Sequence, residues 1–163
     1  MELIVQELTL AAFAPYGEVI RIPDAPGREY FESGFANARS SAWPSLSTVL
    51  KMPVDGLPLE ANLLERHEFS SQTFVPIDVS RWLIVVCPHA ERGGPDVERA
   101  VAFFAGPGQG VTYAMNTWHH GLTVLDRPAR FAVFMWRDAT SADEEFVPVA
   151  PFMVREPSRG TSA

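Results

Sequence analysis

From residue 46 onward the chain is a succession of short segments with the composition of β-strands. Proline or glycine stands in nearly every gap between them, and no helical pattern intervenes. Short strands that recur every 8 to 12 residues, roughly, favour an antiparallel sandwich or barrel over a parallel sheet, which needs helical crossovers. We therefore predict an all-β fold, with strands at residues 46–52, 60–69, 72–77, 81–87, 100–104, 110–115, 119–126, 130–137 and 145–150.

The N-terminal part of the chain departs from this pattern. Thr9 can cap a short helix that Pro15 and Gly17 bring to an end. Residues 18–22 alternate polar and apolar side chains, which predicts one more strand. Residues 28–45 mix aromatic side chains with Gly, Asn and Ser and show no regular period, so we expect a long packed loop or an irregular edge strand there.

Composition places the chain among globular proteins. Its 163 residues are 47% hydrophobic and 20% charged, and no apolar run approaches the ~18 residues of a bilayer span. The N-terminus lacks a basic start, a long apolar segment and a small-residue cleavage site, so we predict a cytoplasmic protein. We expect one domain over residues 1–155 and a flexible C-terminal tail over residues 156–163, which are rich in Ser, Gly and Pro.

Net charge and cysteine content exclude several classes of function. A formal net charge of −7 repels phosphate backbones and anionic membranes, so we expect neither nucleic acid nor a membrane as partner. A local cation can still bind a small anionic substrate in a dry pocket. Cys87, the only cysteine, excludes an internal disulfide and a thiolate metal cluster. Its apolar neighbours predict an inert buried thiol rather than a nucleophile.

Two stretches concentrate the side chains that could carry chemistry. Residues 65–72 and 113–120 contain three of the four histidines. In an extended strand Glu65 and His67 point to one face and Arg66 points to the other. We predict that the two stretches line a single pocket.

The spacing of these side chains resembles that of the cupins, small jelly-roll barrels whose adjacent strands send side chains into the barrel mouth. Glu65 and His67 stand at the two histidine places of the first cupin motif, Gln72 at its glutamate place, and His119 at the later histidine place. Asn116 replaces a glycine that bends the chain, and asparagine tolerates a left-handed backbone. The resemblance implies a cupin-like double-stranded β-helix, a jelly-roll barrel, with a short N-terminal helix.

The donor set differs from the usual cupin metal site of three imidazoles and a carboxylate. The candidate metal ligands Glu65, His67, Gln72 and His119 offer two imidazoles, one carboxylate and a neutral amide, which is a weak ligand. Such a set can hold a divalent ion with open positions. Alternatively, Glu65 and His67 only hydrogen-bond inside the barrel, and the sequence leaves both interpretations open.

Within the cupins, three segments resemble the ureidoglycolate lyase family, formerly called ureidoglycolate hydrolases. Residues 13–20 are similar to the family's opening, residues 64–76 to its central ERHP…SQAFIP stretch, and residues 108–120 to its GQGVNY…TWHH stretch. Glu68 and Gly121 replace two prolines that are usual in these stretches. The resemblance implies a lyase that cleaves ureidoglycolate to glyoxylate and urea in allantoin degradation, a branch of purine metabolism. It leaves the cofactor unknown and allows a divalent metal such as nickel.

The implied reaction is the collapse of a carbinolamine. A base takes the hydroxyl proton, and an acid protonates the departing nitrogen. We expect His67, His119 and Glu65 to carry these transfers, because an imidazole titrates near neutral pH and a carboxylate beside it can orient it or accept a proton.

Three further residues are candidates for binding the substrate. Lys51, at the end of a predicted strand, is the candidate to bind the substrate carboxylate. An equal alternative is that Lys51 is an exposed residue that prevents edge-to-edge aggregation of the sheet. Gln72 and Tyr113 are candidates for hydrogen bonds to the ureido group.

The sequence is also compatible with two other functions, and it favours association of the chain with a second copy. A metal-dependent cupin enzyme of another class, such as a dioxygenase or an isomerase, is one alternative, and a non-catalytic small-molecule-binding cupin is the other. Exposed strand edges and the aromatic residues within 28–45 favour a homodimer.

Overall fold

The computed structural model describes residues 1–158 and confirms the all-β prediction. Its one α-helix in that range, α1 (Leu10–Phe13), begins as predicted at Thr9, whose Oγ1 accepts a hydrogen bond from Ala12 N at 3.2 Å. No helix of residues 1–158 is long and apolar enough to cross a membrane. The strands are β1 (Glu2–Ile4), β2 (Gln6–Glu7), β3 (Gly17–Arg21), β4 (Trp43–Lys51), β5 (Leu59–His67), β6 (Gln72–Asp78), β7 (Arg81–Cys87), β8 (Val101–Ala105), β9 (Gln109–Tyr113), β10 (Trp118–His119), β11 (Thr123–Leu125), β12 (Ala129–Arg137) and β13 (Glu144–Arg155).

These strands form two sheets. The smaller sheet has the order β3-β9-β6-β12-β4, and the larger has the order β1-β13-β5-β10-β7-β8-β2, with β11 on β7. The consecutive strands β1 and β2 pair in parallel with β13 and β8, which lie towards opposite ends of the larger sheet. The N-terminal strands therefore link its two edges, and the larger sheet curls into a nearly closed barrel.

Strand β7 explains how so small a chain supports two cores. Its side chains are buried on both faces, which accounts for its almost continuous apolar sequence. Trp82 and Ile84 point into a core between the two sheets. Leu83, Val85 and Cys87 point into a second core behind the larger sheet. The prediction of a buried Cys87 is confirmed, and burial raises the pKa of its thiol to about 12, so the thiolate is scarce at neutral pH.

The predicted strand at residues 119–126 is wrong as a single element. The chain leaves the sheet after β10 and returns as β11, so residues 120–122 are not in a strand. Strands β1 and β2 were not predicted, because two or three residues are too few to show a period. The predicted flexible tail falls partly on residues 159–163, which lie outside the described residues.

Residues 36–39 of the long loop cross one end of the barrel, and we call this segment the strap. Ser71 N donates to Ala36 O at 2.9 Å, and Ala38 N donates to Phe69 O at 2.8 Å. Asn37 also forms an isolated bridge with Ser70. The strap is therefore packed and covers the turn between β5 and β6, whereas residues 28–30 of the predicted loop are exposed and residues 43–45 belong to edge strand β4.

Candidate active site

The two stretches singled out in the sequence meet on the inner face of the first core. Glu65 of β5 lies directly opposite His119 of β10, and Gln72 of β6 lies directly opposite Tyr113 of β9. Directly opposed residues of an antiparallel pair point to the same face. Tyr113 belongs to the core between the sheets, so these side chains converge from both sheets on one end of the barrel.

The closest contact of ionisable groups in the site joins His119 and Glu65. His119 Nδ1 lies 2.9 Å from the carbonyl oxygen of Thr117, which can only accept, so Nδ1 carries a hydrogen. His119 Nε2 then faces Glu65 Oε1 at 3.3 Å. A proton shared between Nε2 and Oε1 would relieve the repulsion between a bare imidazole lone pair and a carboxylate.

The surroundings of Glu65 favour its ionised form. Burial alone would raise the pKa of Glu65, but the contact with His119 and the nearby His67 and His120 together hold this pKa below its usual value. The carboxylate is 21% exposed, whereas the His119 side chain is only 2% exposed. The pair thus presents a carboxylate on its open side and an imidazole on its closed side.

His67 supplies the second imidazole of the site. Its ring centroid lies 6.1 Å from that of His119, with 28° between the ring planes. Burial, and then the proximity of His119, lower the pKa of His67, although Asp143 and Glu65 oppose this shift. His67 is therefore neutral at neutral pH and can accept a hydrogen bond or a proton.

Tyr113 and Gln72 line the same end of the barrel. The Tyr113 ring stacks on the His119 imidazole at 4.1 Å with 15° between the planes, which fixes the orientation of that imidazole. Burial raises the pKa of Tyr113, so its phenol stays protonated. Gln72 Oε1 is buried and finds no hydrogen-bond partner within residues 1–158. A buried acceptor of this kind is costly unless a ligand or water satisfies it.

Lys51 ends the edge strand β4 and lines a cleft of about 210 Å³ that also contains Glu65 and His120. It is the only lysine of the chain. Leu63 and Phe146, both partly exposed, complete the apolar wall of this cleft. The structure thus places an exposed cation and the Glu65 carboxylate on one solvent-connected opening.

His120 lies in a different place from the one its sequence position predicts. A regular strand would turn it to the sheet behind or to a partner subunit, but β10 ends at His119 and the alternation stops there. His120 instead lines the cleft, where its Nδ1 lies 3.2 Å from Thr123 Oγ1. Burial lowers the pKa of His120, and His119 and Lys51 add to this shift, whereas Gly121 and Glu65 oppose it.

Arg66 points away from the site, as predicted, and contacts residues on the opposite face of β5. Its guanidinium stacks over the buried Trp118 ring at 4.7 Å, donates to Glu145 Oε2 at 2.7 Å and bonds the Asn116 side chain. Asn116 has the predicted left-handed backbone, with φ of 66°. Its N–H donates to His67 O at 2.7 Å, so this network ties together the two stretches that carry the site.

Sequence reasoning missed two residues that meet at His67. Asp143 Oδ2 lies 3.7 Å from His67 Nδ1, and Arg39 of the strap donates to the same carboxylate oxygen at 3.1 Å. In the sequence, Asp143 falls between the predicted strands at residues 130–137 and 145–150, and Arg39 falls in the predicted loop. Neither residue belongs to a motif, and about a hundred positions separate them, so no local signal could have paired them.

The four candidate metal ligands do not fit a metal centre. Within residues 1–158 no three His, Cys, Asp or Glu side chains come close enough to hold an ion. The unpartnered ring nitrogens, His119 Nε2 and His67 Nδ1, face two different carboxylates, Glu65 and Asp143.

The buried histidines predict that acid destabilises the fold. The pKa of both His67 and His120 is lowered from the ordinary value of 6.5, so the unfolded chain binds their protons more readily. The contribution of the two neutral histidines to the free energy of unfolding is therefore complete above about pH 6.5. It decreases as the pH falls, by at most about 1.4 kcal/mol per pH unit for each histidine. The lowered pKa of Glu65 extends this loss below its ordinary value of 4.5.

Urea titrations at about pH 7.5 and about pH 5.5 measure this effect. In the His67→Gln variant the difference between the two free energies of unfolding should shrink, because one of the two groups is gone. A wild-type free energy of unfolding that is equal or larger at the lower pH would contradict the burial of neutral imidazoles.

Fold and site together define a cupin-like jelly-roll protein with a cluster of ionisable side chains at one end of its barrel. In fold, the chain is similar to a dTDP sugar isomerase from Desulfovibrio desulfuricans G20, with a TM-score of 0.50 over 81% of this chain and 82% of that one. The two sequences are 17% identical, so this likeness concerns the fold alone.

Comparison of sequences identifies the family. A model of the ureidoglycolate lyase family matches residues 1–155. The ureidoglycolate lyase of Chelativorans sp. (strain BNC1) is 37% identical over 171 aligned residues, covering 97% of this chain and 99% of that one. That of Mesorhizobium japonicum is 37% identical with coverage of 77% and 80%, and that of Schizosaccharomyces pombe is 31% identical with coverage of 85% and 86%. The chain belongs to the ureidoglycolate lyase family, and the resemblance seen in its three segments is confirmed.

Proposed function

We propose that this enzyme cleaves ureidoglycolate to glyoxylate and urea, and that the Glu65–His119 pair carries both proton transfers. The observation that supports this assignment is the 3.3 Å contact between a solvent-facing carboxylate and an imidazole whose other nitrogen is fixed by Thr117. Such a pair offers an acceptor and a donor of protons side by side. Membership of the family supplies the substrate.

The chemistry needs one proton to leave an oxygen and one to reach a nitrogen. Glu65 accepts the hydroxyl proton, the carbon–oxygen bond becomes the glyoxylate carbonyl, and the carbon–nitrogen bond breaks with its electrons passing to nitrogen. His119 Nε2–H protonates that nitrogen, and urea departs. The proton gained by Glu65 then returns to His119 across the 3.3 Å contact, so the pair is restored without water as a reactant.

The remaining residues of the site bind and orient the substrate. His67, neutral because its pKa is lowered by burial, accepts a hydrogen bond from the substrate and keeps it aligned with the Glu65–His119 pair. The unpartnered Gln72 Oε1 accepts from a ureido N–H. Tyr113 stays a candidate for the ureido group, in addition to its stacking on His119.

Lys51 is proposed to bind the substrate carboxylate, because it is the cation on the cleft that Glu65 shares. We predict that Lys51→Met raises KM about 10- to 100-fold and changes kcat much less, since a charge-assisted hydrogen bond contributes about 1.5 to 3 kcal/mol. Steady-state kinetics measure both constants. Arg127→Met, which removes an exposed cation paired with Asp78, is the matched control. An unchanged KM in Lys51→Met would mean that this lysine does not bind the substrate and instead prevents aggregation at the sheet edge.

The experiment that tests the function is direct. Purified protein is incubated with racemic ureidoglycolate, and glyoxylate, urea and ammonia are measured together. We expect glyoxylate and urea in equal amounts and no ammonia. Release of ammonia would indicate hydrolysis of the ureido group and overturn the lyase assignment.

Four further properties stay predictions: a role in purine breakdown, a cytoplasmic location, the absence of nucleic-acid partners and a homodimer. The homodimer is supported by the exposed outer face of edge strand β4, where Leu46 is 72% and Leu50 is 56% exposed. Apolar side chains on an unpaired edge strand are commonly covered by a second subunit.

A further inference from the structure

Asp143 is a buried carboxylate in the turn before β13, and its side chain is 6% exposed. Oδ1 accepts from Phe69 N at 2.7 Å, and Oδ2 accepts from Ser70 Oγ and from Arg39 Nη2, the latter at 3.1 Å. These three donors hold the carboxylate in place, and each one stabilises its negative charge. Asp143 therefore carries a fixed charge immediately behind the end of β5.

His67 is the one imidazole that this charge faces. Its Nδ1 lies 3.7 Å from Asp143 Oδ2 and has no hydrogen-bond partner within residues 1–158. Glu65 and His119 act on the same ring from the site, and Arg39 stands behind Asp143. At 3.7 Å the contact is electrostatic rather than a hydrogen bond, and a nearby negative charge favours hydrogen on the ring nitrogen that faces it.

We propose that Asp143 is a positioning residue for His67, which selects the tautomer with hydrogen on Nδ1 and so leaves the Nε2 lone pair available to the substrate. This inference rests on the proposed function and deepens it, since it makes Nε2 the acceptor atom of the second imidazole. Arg39 holds Asp143 in this position, because it donates a hydrogen bond to the Asp143 carboxylate and attaches the strap to the site.

The alternative role for Asp143 is purely structural. Its carboxylate and its backbone oxygen both bind residues that follow His67, and Glu68 N donates to Asp143 O at 3.0 Å. Loss of this anchoring alone would lower stability without changing the tautomer of His67. The two roles are therefore separable by measurement.

Asp138 provides a matched control for Asp143. Arg39 donates to Asp138 Oδ2 at 2.8 Å, so both carboxylates pair with the same guanidinium, in the same turn, and both are largely buried. No contact joins Asp138 to His67 among the described residues. Asp143→Asn and Asp138→Asn each remove one negative charge beside Arg39 at almost constant volume, and only the first removes the charge that faces His67.

Kinetics of the two variants give the first test. We expect Asp143→Asn to lower kcat about 10- to 100-fold while KM stays within about threefold, because a misplaced His67 acceptor disturbs the alignment of the substrate for proton transfer more than its binding. Asp138→Asn should retain kcat within about twofold. Equal kcat for Asp143→Asn and wild type would overturn the proposal, as would equal losses in the two variants.

The tautomer itself gives the second test, which does not depend on activity or on a folded Asp143→Asn variant. Nitrogen-15 NMR of the wild-type histidine side chains, with His67→Gln to identify the His67 resonances, should show hydrogen on Nδ1 of His67. Hydrogen on Nε2 would overturn the proposal. If the wild-type protein fails to cleave ureidoglycolate, the proposed function falls, and the NMR result still decides the role of Asp143.

Discussion

His119→Asn is expected to lower kcat for ureidoglycolate cleavage about 10²- to 10⁴-fold, the usual contribution of a positioned acid or base. The asparagine amide can replace Nδ1 as the donor to Thr117 O, which now accepts at 2.9 Å, but it places nothing where Nε2 faces Glu65. The variant therefore removes the proton donor while it keeps the local backbone contact. Steady-state rates and the thermal unfolding midpoint are the measurements.

The neighbouring histidine provides the control. His120→Asn changes the same kind of side chain one residue further on, where it lines the cleft but does not make the close contact with Glu65. We expect it to lose less than about tenfold in kcat. If His120→Asn were the more damaging change, the assignment of the donor to His119 would be wrong.

Glu65→Gln is expected to lower kcat about 10²- to 10³-fold, because the amide has the same shape but cannot accept the hydroxyl proton. The loss should persist at every pH at which the protein stays folded, since no pH restores a carboxylate. Glu60→Gln is the matched control, because Glu60 lies on the same strand and is exposed. Retention of more than about a tenth of the wild-type kcat by Glu65→Gln would place the base elsewhere.

The two changes should not be additive. If Glu65 and His119 act as one pair, the double variant loses little more than the worse single variant, as expected for groups that share a proton. Losses that multiply in the double variant would indicate two independent catalytic groups.

The parts of the site that follow from strand geometry were predictable from the sequence. Alternation along an extended chain places Glu65 and His67 on one face and Arg66 on the other, and the structure shows this arrangement. The cupin spacing also predicted His119 at the later histidine position, and the structure brings its side chain to Glu65. These predictions succeed because they depend on the local backbone and on the register between adjacent strands.

The parts that depend on distant chain segments were not predictable. The continuous apolar run of β7 indicates burial, but it does not reveal that two cores share the strand. Arg39 and Asp143 meet only because the strap crosses the barrel end, and each residue by itself is an ordinary polar residue of a loop. Likewise, no sequence pattern shows that Lys51 and Glu65 open on the same cleft, because they lie in different sheets.

The central claim is that the reaction takes place at the Glu65–His119 pair, and a crystal structure with glyoxylate bound tests it most directly. We expect the product carboxylate to contact Lys51 and the aldehyde oxygen to lie within hydrogen-bond distance of Glu65 or His119. A larger cavity of about 430 Å³ lies beside Tyr16 and His89, outside this site. Glyoxylate bound there, with the Glu65–His119 pair free of ligand, would contradict the account.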